Sequence, residues 1–168
     1  FLIASAAAGL LAACGSDDKG GSKTITPLEI DGSSSCALDG MLLADYPGPK
    51  AQVHFVGQDK PSYFCDTVEL FSTLLAGEQV RAVQAVYVQD MGKADWNQPQ
   101  GHSIDAKTAF YVLGSKRHGS MGPTIGSFAQ EADAAKFATE FGGKVLRFGD
   151  IKADMVDLSG GALHDTRM

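Results

Sequence analysis

Sulfur-containing side chains in the first part of the chain offer ligands for a soft metal ion. Cys36 and Met41 stand five positions apart, with Gly40 between them. Because glycine adopts backbone conformations that other residues avoid, the chain can fold back there and turn both sulfurs toward one ion. Thiolate and thioether sulfur favour Cu(I) over harder cations. The other interpretation is a structural loop in which neither sulfur binds metal.

A second thiol, Cys65, lies directly before the predicted start of a helix. Asp66 and Glu69 form the pattern of a capping box, with Asp66 as the N-cap. A helix N-terminus lowers the pKa of a nearby thiol and favours the thiolate, which is the form that binds metals. Cys65 could instead be a buried apolar residue. It could also pair with Cys36 in a disulfide, as two cysteines in an oxidising compartment usually do.

His118 and Met121 provide an imidazole and a thioether three residues apart. They lie in the glycine-rich stretch 117–123, RHGSMGP, which shows no hydrophobic periodicity and is predicted to be a loop. Met121 is therefore not expected to fill the core. For His118 the alternative is a solvated surface histidine beside Lys116 and Arg117.

The chain starts with the pattern of a bacterial lipoprotein. Residues 1–13 carry no charge and are too few to span a bilayer, so they are predicted to belong to a secretory signal. Residues 11–14, LAAC, form a lipobox in which Cys14 would be lipidated. Gly15 rather than aspartate follows, which favours the outer membrane, and 14–30 is predicted to be a flexible tether. The expected location is therefore on the periplasmic side of that membrane.

The overall composition narrows the function classes. The chain has 14 basic and 20 acidic residues and a net charge of −6, without a basic block, so nucleic acid is not an expected partner. Phosphate-binding, dinucleotide-binding and hydrolase motifs are absent from the sequence, as is a Cys-x-x-Cys pair. The protein is therefore not expected to be an enzyme.

Two halves of the chain show the same order of predicted elements. In the first, strand 51–56 precedes a helix that begins at Asp66 and ends at Gly77, and 80–88 is the return strand. In the second, strands 108–113 and 124–128 precede a helix capped by Ser127, with return strand 144–148. The expected fold is α+β, with two similar ββαβ units packed together. The predicted segments are 1–13 (signal), 14–30 (tether), 31–90 (first unit), 91–105 (linker), 106–151 (second unit) and 152–168 (tail).

Several motifs, in order and spacing, resemble the NosL family of copper-binding lipoproteins that accompany nitrous oxide reductase. The resemblance runs from about Cys36 to Ile151. The motifs are Gly40-Met41, the stretch 46–50 (YPGPK), Phe64-Cys65, Asp90-Met91 with 95–97 (DWN), 104–106 (IDA), 121–124 (MGPT) with Ser127-Phe128, and 142–148 (GGKVLRF).

The resemblance implies a fold related to the organomercurial lyases and one Cu(I) per monomeric chain. It also implies delivery of copper to nitrous oxide reductase through an ABC-type membrane complex. The loop methionine of the family corresponds to Met121. The family often has Cys-x-x-Cys-Gly-Met where this chain has Asp39 in place of the second cysteine, so no paired-thiol site is expected at that spot. Some members have a histidine where this chain has Pro123, and His118 is the candidate to replace it.

The leading hypothesis is a Cu(I) metallochaperone that holds copper with five candidate ligands. They are Met121, Cys65, Cys36, Met41 and His118. One alternative is a membrane-anchored adaptor without metal, in which Cys36 and Cys65 form a disulfide. Another is a cysteine-dependent lyase that uses Cys36, Cys65 and Asp66.

Overall fold

A computed structural model of the chain describes residues 24–78 and 81–158. Segment 1–13 and the predicted lipidation site Cys14 lie outside these ranges, so both remain predictions. The described end of the predicted tether is attached to the domain. Leu28 donates its N–H to Gln52 Oε1 at 2.9 Å and accepts a bond from Gln52 Nε2 at 2.8 Å. These two bonds fix Leu28 to the first strand, so the tether predicted over 14–30 ends earlier than expected.

The first sheet has four antiparallel strands, with the order β2-β1-β3-β4. The strands are β1 (Ala51–Phe55), β2 (Ser62–Phe64), β3 (Val83–Gln89) and β4 (Ser103–Asp105), and helix α1 (Thr67–Leu75) connects β2 to β3. The predicted first strand, helix and return strand are confirmed. The linker predicted over 91–105 is not irregular throughout, because its last three residues form β4 and pair with β3.

The second sheet has three antiparallel strands, with the order β8-β5-β9. Its elements are β5 (Phe110–Leu113), β8 (Gly126–Phe128), helix α2 (Glu131–Phe141) and β9 (Lys144–Arg147). Between β5 and β8, strands β6 (His118–Gly119) and β7 (Gly122–Pro123) pair as a small hairpin. The loop predicted over 117–123 is therefore a hairpin whose turn consists of Ser120 and Met121.

The two helices begin in different ways. Asp66 caps α1 as predicted, since its side chain accepts a bond from Val68 N at 2.8 Å. The prediction that Ser127 caps α2 is wrong. Gln130 occupies the N-cap position without a side-chain bond, and Ser127 Oγ donates to Gln89 O at 2.6 Å. The Ser127 hydroxyl therefore links β8 to the end of β3 and not to the helix.

One hydrophobic core joins both sheets, which confirms the mixed α+β class. It contains Val53 and Val86 from the first sheet and Tyr111 and Leu146 from the second. The C-terminal segment contributes Val156, which is 2% exposed, so 152–158 is packed against the domain even though its sequence showed no pattern. In the two described ranges, no helix has the length and apolar character needed to cross a membrane.

Candidate metal site

Two buried thiols converge on one carboxylate in the described part of the chain. Cys36 and Cys65 are both free, with exposed fractions of 3% and 0%. Glu69 Oε2 lies 3.2 Å from the Sγ atom of each cysteine. One ligand atom from each of these residues and one from Asp39 all lie within 4.8 Å of one another. These four residues, called the thiol cluster below, could therefore contact a single ion.

The first thiol is held by the loop 36–41, which folds back on itself as its glycine suggested. Gly40 has a φ of +77°, a conformation that favours glycine. Cys36 N donates to Met41 O at 2.8 Å, and Gly40 N donates to Cys36 O at 2.9 Å. Asp39 Oδ1 accepts from Met41 N at 2.9 Å, which fixes the carboxylate of Asp39 inside the loop. The half-buried Met41 packs against the small apolar cluster formed by Cys36, Leu43 and Cys65.

The second thiol is held by the start of α1. Cys65 directly follows β2, and Glu69 lies four residues later, inside the first turn of the helix. Asp66 Oδ1 caps the helix and also accepts a bond from Thr124 Oγ1 at 2.5 Å. The lyase alternative would need Asp66 as an acid, but this carboxylate instead fastens α1 to the strand end near Thr124.

The β6–β7 hairpin lies directly against the second thiol. Ser120 Oγ, at its turn, is 3.2 Å from Cys65 Sγ. The close approach requires glycine at position 119, where a Cβ atom would stand 2.1 Å from Asp66 Oδ2. Among the described residues, that buried oxygen has no hydrogen-bond partner. The backbone of Gly119 thus fills the space above Asp66 and brings Ser120 to the cysteine.

The other predicted ligands lie outside the thiol cluster. Met121 follows Ser120 in the hairpin turn, and its side chain is 38% exposed and lines a neighbouring cavity. His118 is exposed on β6, where its backbone carbonyl accepts a bond from Trp96 Nε1 at 3.0 Å. The structure therefore brings Cys36, Cys65 and Met41 together and leaves Met121 and His118 on the adjoining hairpin.

The interaction between the two thiols separates their pKa values. The side-chain interaction with Cys65 lowers the pKa of Cys36 to about 5. The same interaction, together with burial, raises the pKa of Cys65. The raised pKa of Cys65 is opposite in direction to the effect expected from the helix N-terminus, because the interaction with Cys36 and burial act the other way.

Burial also shifts the other charged groups around the thiols. It raises the pKa of Glu69 to about 7, and the hydrogen bond with Cys36 acts in the same direction. It raises the pKa of Asp66 to about 6, against the lowering effect of the bond from Thr124. The Lys50 side chain is 1% exposed, and burial lowers its pKa to about 8 despite the negative charges around it. Lys50 Nζ donates to Pro47 O and Cys65 O, each at 3.0 Å.

This set of groups suits a soft cation. Two sulfur ligands and a carboxylate oxygen can surround one ion in a low-coordinate site, and sulfur ligands favour Cu(I) among the biological metals. A Cu(I) ion bound by two thiolates carries a net negative charge, which the buried ammonium group of Lys50 would balance. Burial of the sulfurs would also protect the ion from water and oxidants.

Sequence reasoning missed Glu69 and Ser120, and it named neither Asp39 as a ligand nor Lys50 as a part of the site. Glu69 fits the pattern of a capping box, so its carboxylate was expected to bind the helix N-terminus and not the cysteines. Its spacing of four residues from Cys65 was the available signal, because residues so spaced share a face at a helix start. Ser120 offered no signal, because its contact with Cys65 joins positions 55 residues apart.

The fold and the site define a small α+β domain with a buried thiol pair suited to a soft metal ion. The NosL family model matches residues 27–156, and the chain belongs to the NosL family. Two relatives, each named copper-binding lipoprotein NosL, are 36% identical to it. The one from Stutzerimonas stutzeri aligns over 85% of this chain and 77% of its own length, and the one from Achromobacter cycloclastes over 93% and 81%.

A solved structure shows the same relationship. The crystal structure of the copper chaperone NosL from Shewanella denitrificans superposes with a TM-score of 0.74 at 42% identity. The match covers 77% of this chain and 97% of that chain. The family resemblance carried by the sequence motifs is therefore confirmed.

Proposed function

We propose that this protein is a Cu(I) metallochaperone that binds one ion at the thiol cluster and supplies it for assembly of the copper centres of nitrous oxide reductase. The observation that carries the proposal is the convergence of two free, buried thiols on Glu69 at 3.2 Å. The names of the relatives, copper-binding lipoprotein and copper chaperone, support the same conclusion.

Cys36 and Cys65 would hold the ion, and the carboxylate of Glu69 would receive or orient the thiol protons that metal displaces. Met41, which packs against the small apolar cluster that contains both cysteines, would add a thioether. Met121 and His118 lie on the hairpin beside Cys65 and would contact copper during its exchange with a partner. Such exchange needs a site that is not closed on every side, and ligands on loops suit that need.

The cellular setting belongs to the same proposal. A lipid on Cys14 would anchor the monomeric protein to the periplasmic face of the outer membrane, and the lipoprotein names of the relatives support an anchor. The partners would be nitrous oxide reductase and its ABC-type membrane maturation complex. We expect no catalytic activity.

A relation of the fold to the organomercurial lyases, through two ββαβ units, is also proposed. Its support is the strand order β2-β1-β3, with α1 between β2 and β3, which has a counterpart in β8-β5-β9, with α2 between β8 and β9.

The deciding experiment is an anaerobic Cu(I) titration of the reduced protein against a chromophoric competitor. We expect one tight equivalent. Cys36→Ser and Cys65→Ser should each weaken it at least tenfold, which corresponds to about 1.4 kcal/mol. Cys14→Ser is the matched control and should bind like the wild type, because Cys14 precedes the family domain that begins at residue 27.

The same titration separates the alternatives. If the wild-type protein fails to compete for Cu(I), the chaperone hypothesis is contradicted. If thiol counting finds no free thiol besides Cys14, the disulfide-bonded adaptor is favoured. Transfer is tested by mixing the loaded protein with copper-free nitrous oxide reductase and its maturation complex. Copper should appear in the reductase with wild-type donor and not with Cys36→Ser.

A further inference from the structure

The methionines outside the thiol cluster are not scattered over the surface. Four methionines lie in the described residues, and of these Met91 is buried in the core of the second sheet while Met41 packs against the small apolar cluster that contains both cysteines. The other two, Met121 and Met155, are 38% and 39% exposed. Both residues line one cavity of about 230 Å³.

The cavity adjoins the thiol cluster through the hairpin. Met121 is the residue next to Ser120, whose hydroxyl is 3.2 Å from Cys65 Sγ. On the other side, Val68 belongs to the first turn of α1, one residue before Glu69, and it also lines the cavity. The hairpin turn and the first turn of α1 therefore border both the exposed cavity and the buried cysteines.

Met155 is held in place and is not part of a loose tail. It ends a 3-10 turn, Ala153–Met155, in which its N–H donates to Lys152 O at 3.0 Å. The next residue, Val156, is 2% exposed and belongs to the main core. The backbone that carries the Met155 thioether is thus fixed on both sides, as a ligand-bearing segment must be.

We propose that Met121 and Met155 form a second, weaker Cu(I) site, a surface port through which copper enters or leaves the thiol cluster. This inference rests on the proposed function, because a port has a use only if the cluster binds copper. Thioether sulfur is a soft, neutral ligand that selects Cu(I). The apolar walls provided by Leu113 and Ile125 disfavour harder, strongly hydrated cations.

Passage between the two sites is a ligand exchange without a redox step. Copper stays Cu(I) while its bonds to the thioethers break and bonds to the thiolates form. The thiol proton of Cys65 passes to the carboxylate of Glu69, 3.2 Å away. Since the thioethers bind no proton at neutral pH, they take up copper without acid–base chemistry and bind it less tightly than thiolates. Transfer of copper from the methionine site to the thiol cluster is therefore favourable in free energy. A partner with stronger ligands can remove copper through the same port.

The test uses protein with ¹³C-labelled methionine methyl groups, titrated anaerobically with Cu(I) and, separately, with Ag(I) as a closed-shell substitute. We expect the methyl signals of Met121 and Met155 to shift together during a second equivalent, while that of buried Met91 stays in place. Met155→Leu keeps the volume and apolar character of the side chain, and Met91→Leu is its matched control. Met155→Leu should abolish binding of the second equivalent and slow copper transfer to a competitor at least tenfold. Met91→Leu should change neither.

The outcomes separate this inference from the function on which it rests. Unchanged affinity of the first equivalent in Met155→Leu, with slower transfer, supports the port. Tight binding by the cluster with normal transfer and no Met155 shift overturns the port and leaves the chaperone intact. Loss of the first equivalent in the wild type overturns both.

Discussion

Adding one methyl group at position 119 tests how the hairpin is seated on the thiol cluster. In Gly119→Ala the new Cβ would stand 2.1 Å from Asp66 Oδ2 and 3.0 Å from Thr124 Cβ. Asp66 cannot simply rotate, because its other oxygen caps α1 and accepts the bond from Thr124. Either the cap is lost, at about 0.5–2 kcal/mol, or the hairpin is pushed outward, at about 1–3 kcal/mol for an overpacked site.

We therefore expect Gly119→Ala to lower the free energy of unfolding by about 2 kcal/mol, which would shift a urea midpoint by roughly 1 M. The assay is equilibrium unfolding of the reduced, metal-free protein followed by circular dichroism. Gly149→Ala is the matched control, since a Cβ there meets no atom within 4 Å. Its free energy of unfolding should stay within about 0.5 kcal/mol of that of the wild type.

A double-mutant cycle with Asp66→Ala shows whether the clash is the cause. Removing the carboxylate removes the 2.1 Å contact, so Gly119→Ala should cost clearly less in that background. Equal costs in both backgrounds, or a Gly119→Ala midpoint equal to that of Gly149→Ala, would refute the explanation.

Two further predictions concern buried charges near the cysteines. Lys50→Met should destabilise the protein by at least about 2 kcal/mol, because each carbonyl left without its donor costs about 1–3 kcal/mol. Lys152→Met removes only an exposed bond to Gly149 O, so it should change the free energy of unfolding little in the same urea assay. Equal destabilisation by the two variants would contradict the role given to Lys50. For Glu69, burial raises the pKa from 4.5 to about 7, so the folded state holds its proton more tightly than the unfolded chain. That contribution to stability is complete below pH 4.5 and is lost as the pH rises to 7. The free energy of unfolding of Glu69→Gln should therefore rise relative to that of the wild type from pH 4.5 to 7 and keep this gain at higher pH. If the two proteins show parallel dependence of stability on pH, the pKa of Glu69 is not raised.

Local pattern was enough to predict the elements that carry the site. Asp66 and the apolar residues after it predicted α1, and the β-rich run 80–88 predicted the strand observed as Val83–Gln89. The fold-back of the loop 36–41 followed from its glycine. Each of these features depends on neighbours in sequence, for which spacing and residue type are sufficient evidence.

The rest depends on contacts between distant segments. Glu69 became part of the site only because the loop with Cys36, 33 positions earlier, packs against it. A lysine normally indicates a solvated surface, and nothing local showed that Lys50 would find two buried carbonyls. Val156 is a single apolar residue without periodicity, so its place in the core could not be inferred. Whether Met121, His118 or the tail take part in metal exchange stays a prediction.

The chain contains a single tryptophan, and its placement makes the protein its own optical reporter. The Trp96 indole donates to His118 O on the hairpin, stacks on Phe137 at 5.1 Å, and has the Arg117 guanidinium 4.9 Å above its ring. Any displacement of the hairpin changes the hydrogen bond and the positive charge next to the fluorophore, and with them its emission. Cu(I) is a closed-shell ion without a visible absorption band of its own. Its arrival and departure could therefore be followed in real time, without a label, through intrinsic fluorescence.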